Sequence, residues 1–319
     1  MDFRTQKPLQ LMQVFSRTVR LMGNTFAFSV AAEREKIAFD QMEIAVVETR
    51  RIESLLTTFS DTSQTNKINA RSGISPVKVD AEVFDLIERS IAISRITQGA
   101  FDISYGSIDK KLWNFDCSMQ ALPDAETARK MVHLIDFRNI ELDAEAQTVF
   151  LRNKGMRIGF GGIGKGYAAE MGKRKLIAAG VESGIINASG DLTAWGKQPS
   201  GKSWTIGIAD PERPNQPFSY LDISDKAVAT SGNYEKFAMI GGRKYSHTID
   251  PKTGFPITGI KSVTTICDNA EFADAMATPI AVMGISAGLH LVDQIPGLHC
   301  IIVDDYNKIY SSKNINLTS

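Results

Sequence analysis

The chain is expected to fold as α+β, a single compact body of mixed, largely antiparallel sheets with packed helices. Three observations carry that expectation. Short β-branched and aromatic runs follow one another in the last third, as in "WTIGIAD", "YLDIS", "AVATSG" and "SVTTIC". Segments of helical period stand between runs of strands rather than alternating with single strands. Neither an internal repeat nor a low-complexity linker divides the 319 residues.

Taken in order, "TVRLMGNTFAFSV" at residues 18–30 reads as a strand or hairpin, with a turn or bulge at Gly23-Asn24. A helix between Glu33 and Leu56 follows, because Ala38, Met42, Ala45, Val46, Ile52, Leu55 and Leu56 make one apolar face. The polar stretch "TTFSDTSQTNKINARSG" reads as a loop. Asp80 suits the N-cap of a second helix, with Phe84, Ile87 and Ile91 on one face and an end near Gly99. "GAFDISYGSIDKKLW" is too rich in glycine and polar groups for a regular element. A third helix around residues 124–135 leads to "IELDAEAQTVFL", a hairpin about an acidic turn. Then come a strand, a glycine turn, a helix to about Ala179, and a strand and turn over "GIINASGDLTAWG". Helices over "EFADAMATPIAVMG" and "SAGLHLVDQI" close the chain.

With 43% hydrophobic and 23% charged residues the chain can bury a core. Its 36 basic and 36 acidic residues cancel, so nothing steers it generically to nucleic acid or anionic membranes. Cys117, Cys267 and Cys300 lack metal-ligand spacing and suit a reducing compartment or simple core packing. The first 21 residues have no continuous apolar run, and no stretch is long enough to span a membrane. The expected compartment is cytoplasmic for the chain as given, or the periplasm had an export signal been removed.

"IGFGGIGKGYAAE" at residues 158–170 fits two nucleotide patterns. From Gly159 it is most of a P-loop, but the hydroxyl that would follow the lysine is replaced by Gly166. Through Gly159, Gly161 and Gly164 it is also G-x-G-x-x-G, but it sits mid-chain, with only Glu182 near the distance of the usual ribose-binding acid. What both share survives: glycines that admit a phosphate, a lysine, and a helix start. Tight helix–sheet packing explains Gly161 and Gly162 equally well.

Asp274 and Thr278, four apart on a helix, share a face and can present a carboxylate and a hydroxyl to one hard cation. The alternative is a helix-surface acid and a locally bonded threonine. His247, before an Asp-Pro turn, is a candidate base or a solvated histidine. Thr230 and Ser231 offer hydroxyls beside Gly232, or form a strand-end turn. Phe59 offers a ring to stack on a flat ligand, or a core anchor.

In order, "MGN", "GAFDIS", "GGIGKGYAAE", "ASGD", "ATSGNY", "HTIDPKTGFP" and "DAMAT" resemble the motifs of the ApbE-type FAD:protein FMN transferases, over about Thr18 to Ser311. The resemblance implies residues 1–17 as an N-terminal extension and 18–319 as a flavin transferase domain. It implies transfer of FMN from FAD to a Thr or Ser hydroxyl of a target protein, releasing AMP, with Mg2+. Asp274 and Thr278 then hold the metal by side chain and Gly164 by its carbonyl. Met22, Thr58, Phe59, Asp102, Lys165 and Glu170 border FAD, with Ser60, Thr230 and Ser231 beside them, and His247 lies near the phosphoester. The sequence departs from the family pattern at Gly164, usually Ala, and at Glu170 and Gly159, both usually Asp. An FAD pyrophosphatase and a flavin-binding protein without turnover are the other functions these motifs allow.

Overall fold

The first elements of the described residues are two nine-residue strands, β1 (Gln13–Leu21) and β2 (Asn24–Ala32), paired antiparallel about a two-residue turn. Met22 (φ 52°) and Gly23 (φ 71°) both take left-handed conformations, the turn whose twist matches a hairpin. The strand starts at Gln13, inside the segment expected to be an extension. This computed structural model describes residues 11–109, 121–209, 217–232, 237–246, 248–313 and 315.

Helix α1 (Glu35–Leu56) buries Ala38, Met42, Ala45, Val46, Ile52 and Leu56, while Leu55 packs at the core's edge. The polar stretch expected to be a loop contains a second helix, α2 (Gln64–Ala70), capped by the Ser63 side chain accepting from Asn66 N–H at 3.1 Å. No apolar stripe announced it, because Thr65 and Asn69 are buried through hydrogen bonds. After β3 (Val77–Lys78) comes α3 (Ala81–Ile96), with Asp80 at the N-cap position but its carboxylate turned to the Gln64 amide. A 3-10 turn (Ile103–Ser107) and α4 (Ala125–Val132) follow, then the expected hairpin of β4 (Ile140–Asp143) and β5 (Thr148–Leu151).

The strand expected before the glycine turn does not form. Residues 157–159 are bonded to side chains and a turn instead of a neighbouring strand: Ile158 N–H donates to Asn69 Oδ1 at 2.7 Å and its carbonyl accepts from Asn69 Nδ2 at 3.0 Å. Ser107 Oγ likewise accepts from Arg157 N–H at 2.8 Å.

The remaining elements are α5 (Gly164–Ala178), β6 (Gly184–Ala188), β7 (Asp191–Trp195), β8 (Trp204–Ala209), β9 (Pro217–Ile223) and β10 (Lys226–Gly232). Next are β11 (Phe237–Ile240), β12 (Arg243–Ser246), β13 (Ile260–Cys267), α6 (Ala270–Met283), α7 (Ile285–Val292), β14 (His299–Asp304) and β15 (Ile309–Ser311). "GIINASGDLTAWG" is therefore a hairpin, turning at Ser189 (φ 57°) and Gly190 (φ 103°), rather than one strand and a turn.

The fold is α+β: among the described residues eight antiparallel strands run β1-β2-β6-β7-β10-β13-β14-β15 in one sheet. Helices α1, α5 and α6 cover one face over a core that includes Phe26, Phe28, Ile186 and Trp195. The β8–β9 ribbon covers part of the other, where Leu192, Ala194, Trp204, Ile206 and Val228 meet. Alternation along β7 thus sends Asp191, Thr193 and Trp195 towards the helices. No helix among the described residues is long and apolar enough to cross a membrane.

Candidate active site

Four polar clusters, distant in sequence, meet around the start of α5. Phe160 carbonyl accepts from Gly164 N–H at 2.7 Å, which turns the chain into the helix. A Cβ on Gly164 would lie 3.5 Å from Met22 Cε, so the β1–β2 turn touches the helix start. Gly162 faces the Phe101 ring, and Gly159 N–H donates to Ile103 carbonyl at 2.9 Å, joining "GAFDIS" to the glycine loop. The Thr58 methyl lies 3.9 Å from where a Cβ on Gly159 would be.

Beside Thr58, Phe59 is 98% exposed, which removes the reading of it as a core anchor. The Asn66 amide holds this loop by donating to the carbonyls of Thr58 and Ser60, both at 2.9 Å, while Ser60 and Thr62 hydroxyls bond at 2.8 Å. Asp102 shapes its loop from within. Its carboxylate accepts from Ser104 N–H (2.8 Å), Ser104 Oγ (2.6 Å) and Phe137 N–H (2.7 Å). Burial pushes its pKa up, against the opposing pull of these bonds.

The second half of the site is the crossing of α5 over α6. Gly166 N–H donates to Asp274 Oδ2 at 2.9 Å. A Cβ on Gly166 would lie 2.2 Å from Ala270 carbonyl oxygen and 2.6 Å from Asp274 Cβ, so the place of the missing P-loop hydroxyl is where two backbones come too close for a side chain. Asp274 is 6% exposed, which corrects the reading of a helix-surface acid. One turn on, Thr278 Oγ1 donates to Ser231 Oγ at 3.3 Å, whereas Thr230 bonds across the sheet to Thr264 at 3.0 Å.

Asp191, which the sequence offers only as the last residue of "ASGD", joins this cluster. Its carboxylate is ion-paired with Lys165 Nζ, which also stands 3.9 Å from Asp274 Oδ1. Burial, and then the Asp274 charge, push the Asp191 carboxyl up to about 7, with Lys165 opposing. The available signal was a charge heading the strand "DLTAW", all of whose residues are buried.

Among the described residues two buried carboxylates thus face one ammonium, an arrangement that a bound cation would balance. The described residues hold no group of three His, Cys, Asp or Glu arranged for a metal. The oxygens this cluster offers are hard donors: the Asp274 carboxylate and, one turn on along α6, the Thr278 hydroxyl. Such a partial set suits Mg2+, which takes one or two carboxylates and fills its shell with phosphate and water.

Glu170 is placed otherwise. Its buried carboxylate accepts from Ala270 N–H at 3.1 Å and pairs with Lys173 at 2.8 Å and Arg174 at 3.4 Å, capping the start of α6. His247 lies outside the described residues. Just beyond it, Ile249 N–H donates to the Tyr105 hydroxyl at 3.4 Å, which sets that segment against the 3-10 turn of "GAFDIS". A groove of about 1110 Å³ between α1, α3, α5 and the start of α6 is lined by none of the candidate residues. Its arginines are already paired, Arg51 with Glu48 and Glu82, Arg89 with Glu271, and Arg174 with Glu170.

The sequence model of the ApbE family matches residues 22–302. A Treponema pallidum protein named FAD:protein FMN transferase is 32% identical over 278 residues, 82% of this chain and 76% of that protein. One of the same name from Klebsiella pneumoniae is 30% identical over 293 residues, 91% and 89% of the two chains. The crystal structure of the ApbE protein from Thermotoga maritima matches with a TM-score of 0.85 at 28% identity, covering 94% of this chain and 97% of that one.

Proposed function

Because this chain belongs to the ApbE family, we propose that it is an FAD:protein FMN transferase that moves FMN from FAD to a Thr or Ser hydroxyl of an acceptor protein. The observation that carries the site assignment is the buried Asp274 carboxylate, fixed by Gly166 N–H beside Thr278 and Lys165 at the head of α5.

In the transfer, the acceptor oxygen forms a bond to the FMN phosphorus while the pyrophosphate P–O bond breaks and AMP leaves. The α5 amides and the Lys165 ammonium offer the pyrophosphate a positive helix end and a counter-charge. Asp274, Thr278 and the Gly164 carbonyl would hold Mg2+, which when bound neutralises pyrophosphate charge. Met22 and Thr58, both against the glycine loop, border the nucleotide, and Ser231 orients Thr278 by its hydrogen bond. Ser60, Asp102, Glu170 and Thr230 support this arrangement from the bonds described above.

Phe59 stands ready to cover a flat ring. Phe59→Ala is expected to weaken FAD binding by about 1 to 3 kcal/mol, the scale of base stacking, with unchanged melting. Equal affinity by calorimetry would remove it from the site.

His247 is assigned as the base that takes the proton of the acceptor hydroxyl, a poor nucleophile when neutral. His247→Asn is expected to slow single-turnover transfer by about 10²-fold or more with FAD affinity kept, since a base acts in the transition state. Lost FAD binding with a normal rate at saturation would make it a binding residue.

The function is tested by incubating the protein with FAD, Mg2+ and a candidate acceptor, then weighing the acceptor intact. A gain of FMN less water is the expected result. FMN and AMP released without a gain would make the protein an FAD pyrophosphatase, and intact FAD would make it a binder.

A further inference from the structure

We propose that Asp191 is a positioning residue: it holds the Lys165 ammonium off Asp274, and so keeps the Asp274 carboxylate open to a divalent cation. The inference rests on the reading of Asp274 as a metal ligand. Lys165 lies in the first turn of α5 with a flexible four-carbon stem, and its ammonium has two carboxylates beside it. It is paired with Asp191 and remains 3.9 Å from Asp274 Oδ1, at the outer limit of an ion pair. Asp191 can impose that choice because it is fixed: it opens β7 directly after the left-handed Ser189-Gly190 turn, and its side chain is 5% exposed.

Removing one member of a buried pair leaves a charge that seeks another partner. Without the Asp191 carboxylate, the ammonium closes on Asp274, occupying an oxygen that a cation needs. Removing ammonium and carboxylate together leaves no such competitor. A residue that merely supported the fold, or that was itself a metal ligand, would not be rescued by loss of the lysine.

The test uses Mn2+ as the probe, with free ion counted by its paramagnetic resonance signal and folding followed by melting curves. Asp191→Asn is expected to weaken Mn2+ binding by about 10- to 100-fold, the usual cost of losing a group that orients a ligand. Lys165→Met with Asp191→Asn should return affinity to within about threefold of the unaltered protein, roughly 0.7 kcal/mol. Lys165→Met alone should bind at least as tightly as the unaltered protein, an arm that holds even if Asp191→Asn folds poorly. Unchanged binding in Asp191→Asn, a double variant as weak as that single one, or a tenfold loss in Lys165→Met would each overturn the proposal. An unaltered protein that takes up no Mn2+, or takes it up equally with Asp274→Asn, overturns the reading of Asp274 itself and this inference with it.

Discussion

Asp274→Asn is expected to lower Mg2+-supported turnover by about 10³-fold or more, the equivalent of losing roughly 4 kcal/mol of transition-state stabilisation. Asparagine keeps an oxygen to accept from Gly166 N–H, so the crossing of α5 and α6 retains its bond. It removes the negative charge that a hard cation requires. It also relieves Asp191 of a like charge in a buried site, so melting should hold or rise slightly. Alanine is the poorer probe, because it strands a buried N–H as well as removing the charge. Turnover over a magnesium titration, beside a melting curve, decides the matter: equal turnover at every concentration would take Asp274 out of the metal site.

The second large effect is on stability. Gly166→Ser, which would restore the P-loop pattern on paper, is expected to destabilise the protein by about 3 kcal/mol or more. Its Cβ would stand 2.2 Å from the Ala270 carbonyl oxygen, and that atom belongs to backbone, not to a side chain that can swing away. Ala270 is also held by its own N–H on Glu170, so α6 cannot retreat cheaply. Gly166→Ala should behave the same, since the clash lies at Cβ. Gly161→Ala, with nothing within 4 Å of its added carbon, should melt near the unaltered protein. Denaturant unfolding of the three variants checks this, and a Gly166→Ala that unfolds normally would mean the helices can part.

Elements whose stability comes from an apolar stripe were legible from residue order. Helix α1 shows its buried face at Ala38, Met42, Ala45, Val46 and Ile52, and the β1–β2 hairpin shows its apolar strands and glycine turn. Elements built on polar contacts were not. Helix α2 is fixed by the polar side chains of Ser63, Thr65 and Asn69, which leave no apolar period, and the path before the glycine loop by Asn69 and Ser107, paired with residues far along the chain. The site was legible in part for the same reason. The i, i+4 spacing put Asp274 and Thr278 on one face, but the Asp191–Lys165 pair depends on β7 lying beneath α5. Spacing could not say that Gly166 is required by the approach of another backbone, or that Glu170 caps α6.

The order of strands in the large sheet bears on how the protein is made. Strand β2 ends at Ala32, and the strand that lies against its free edge, β6, begins at Gly184, about 150 residues later. A ribosome adding about 5 to 20 residues per second reaches β6 roughly 8 to 30 s after completing the hairpin. Through that interval β2 offers an unpaired edge, with Phe26, Phe28 and Val30 on its apolar face. Helix α1, made at once after the hairpin and packed against both its strands, can shelter that face while the partner strand is awaited. What stays open during synthesis is therefore the backbone edge of β2 rather than its apolar face, and that edge is what a chaperone would have to cover.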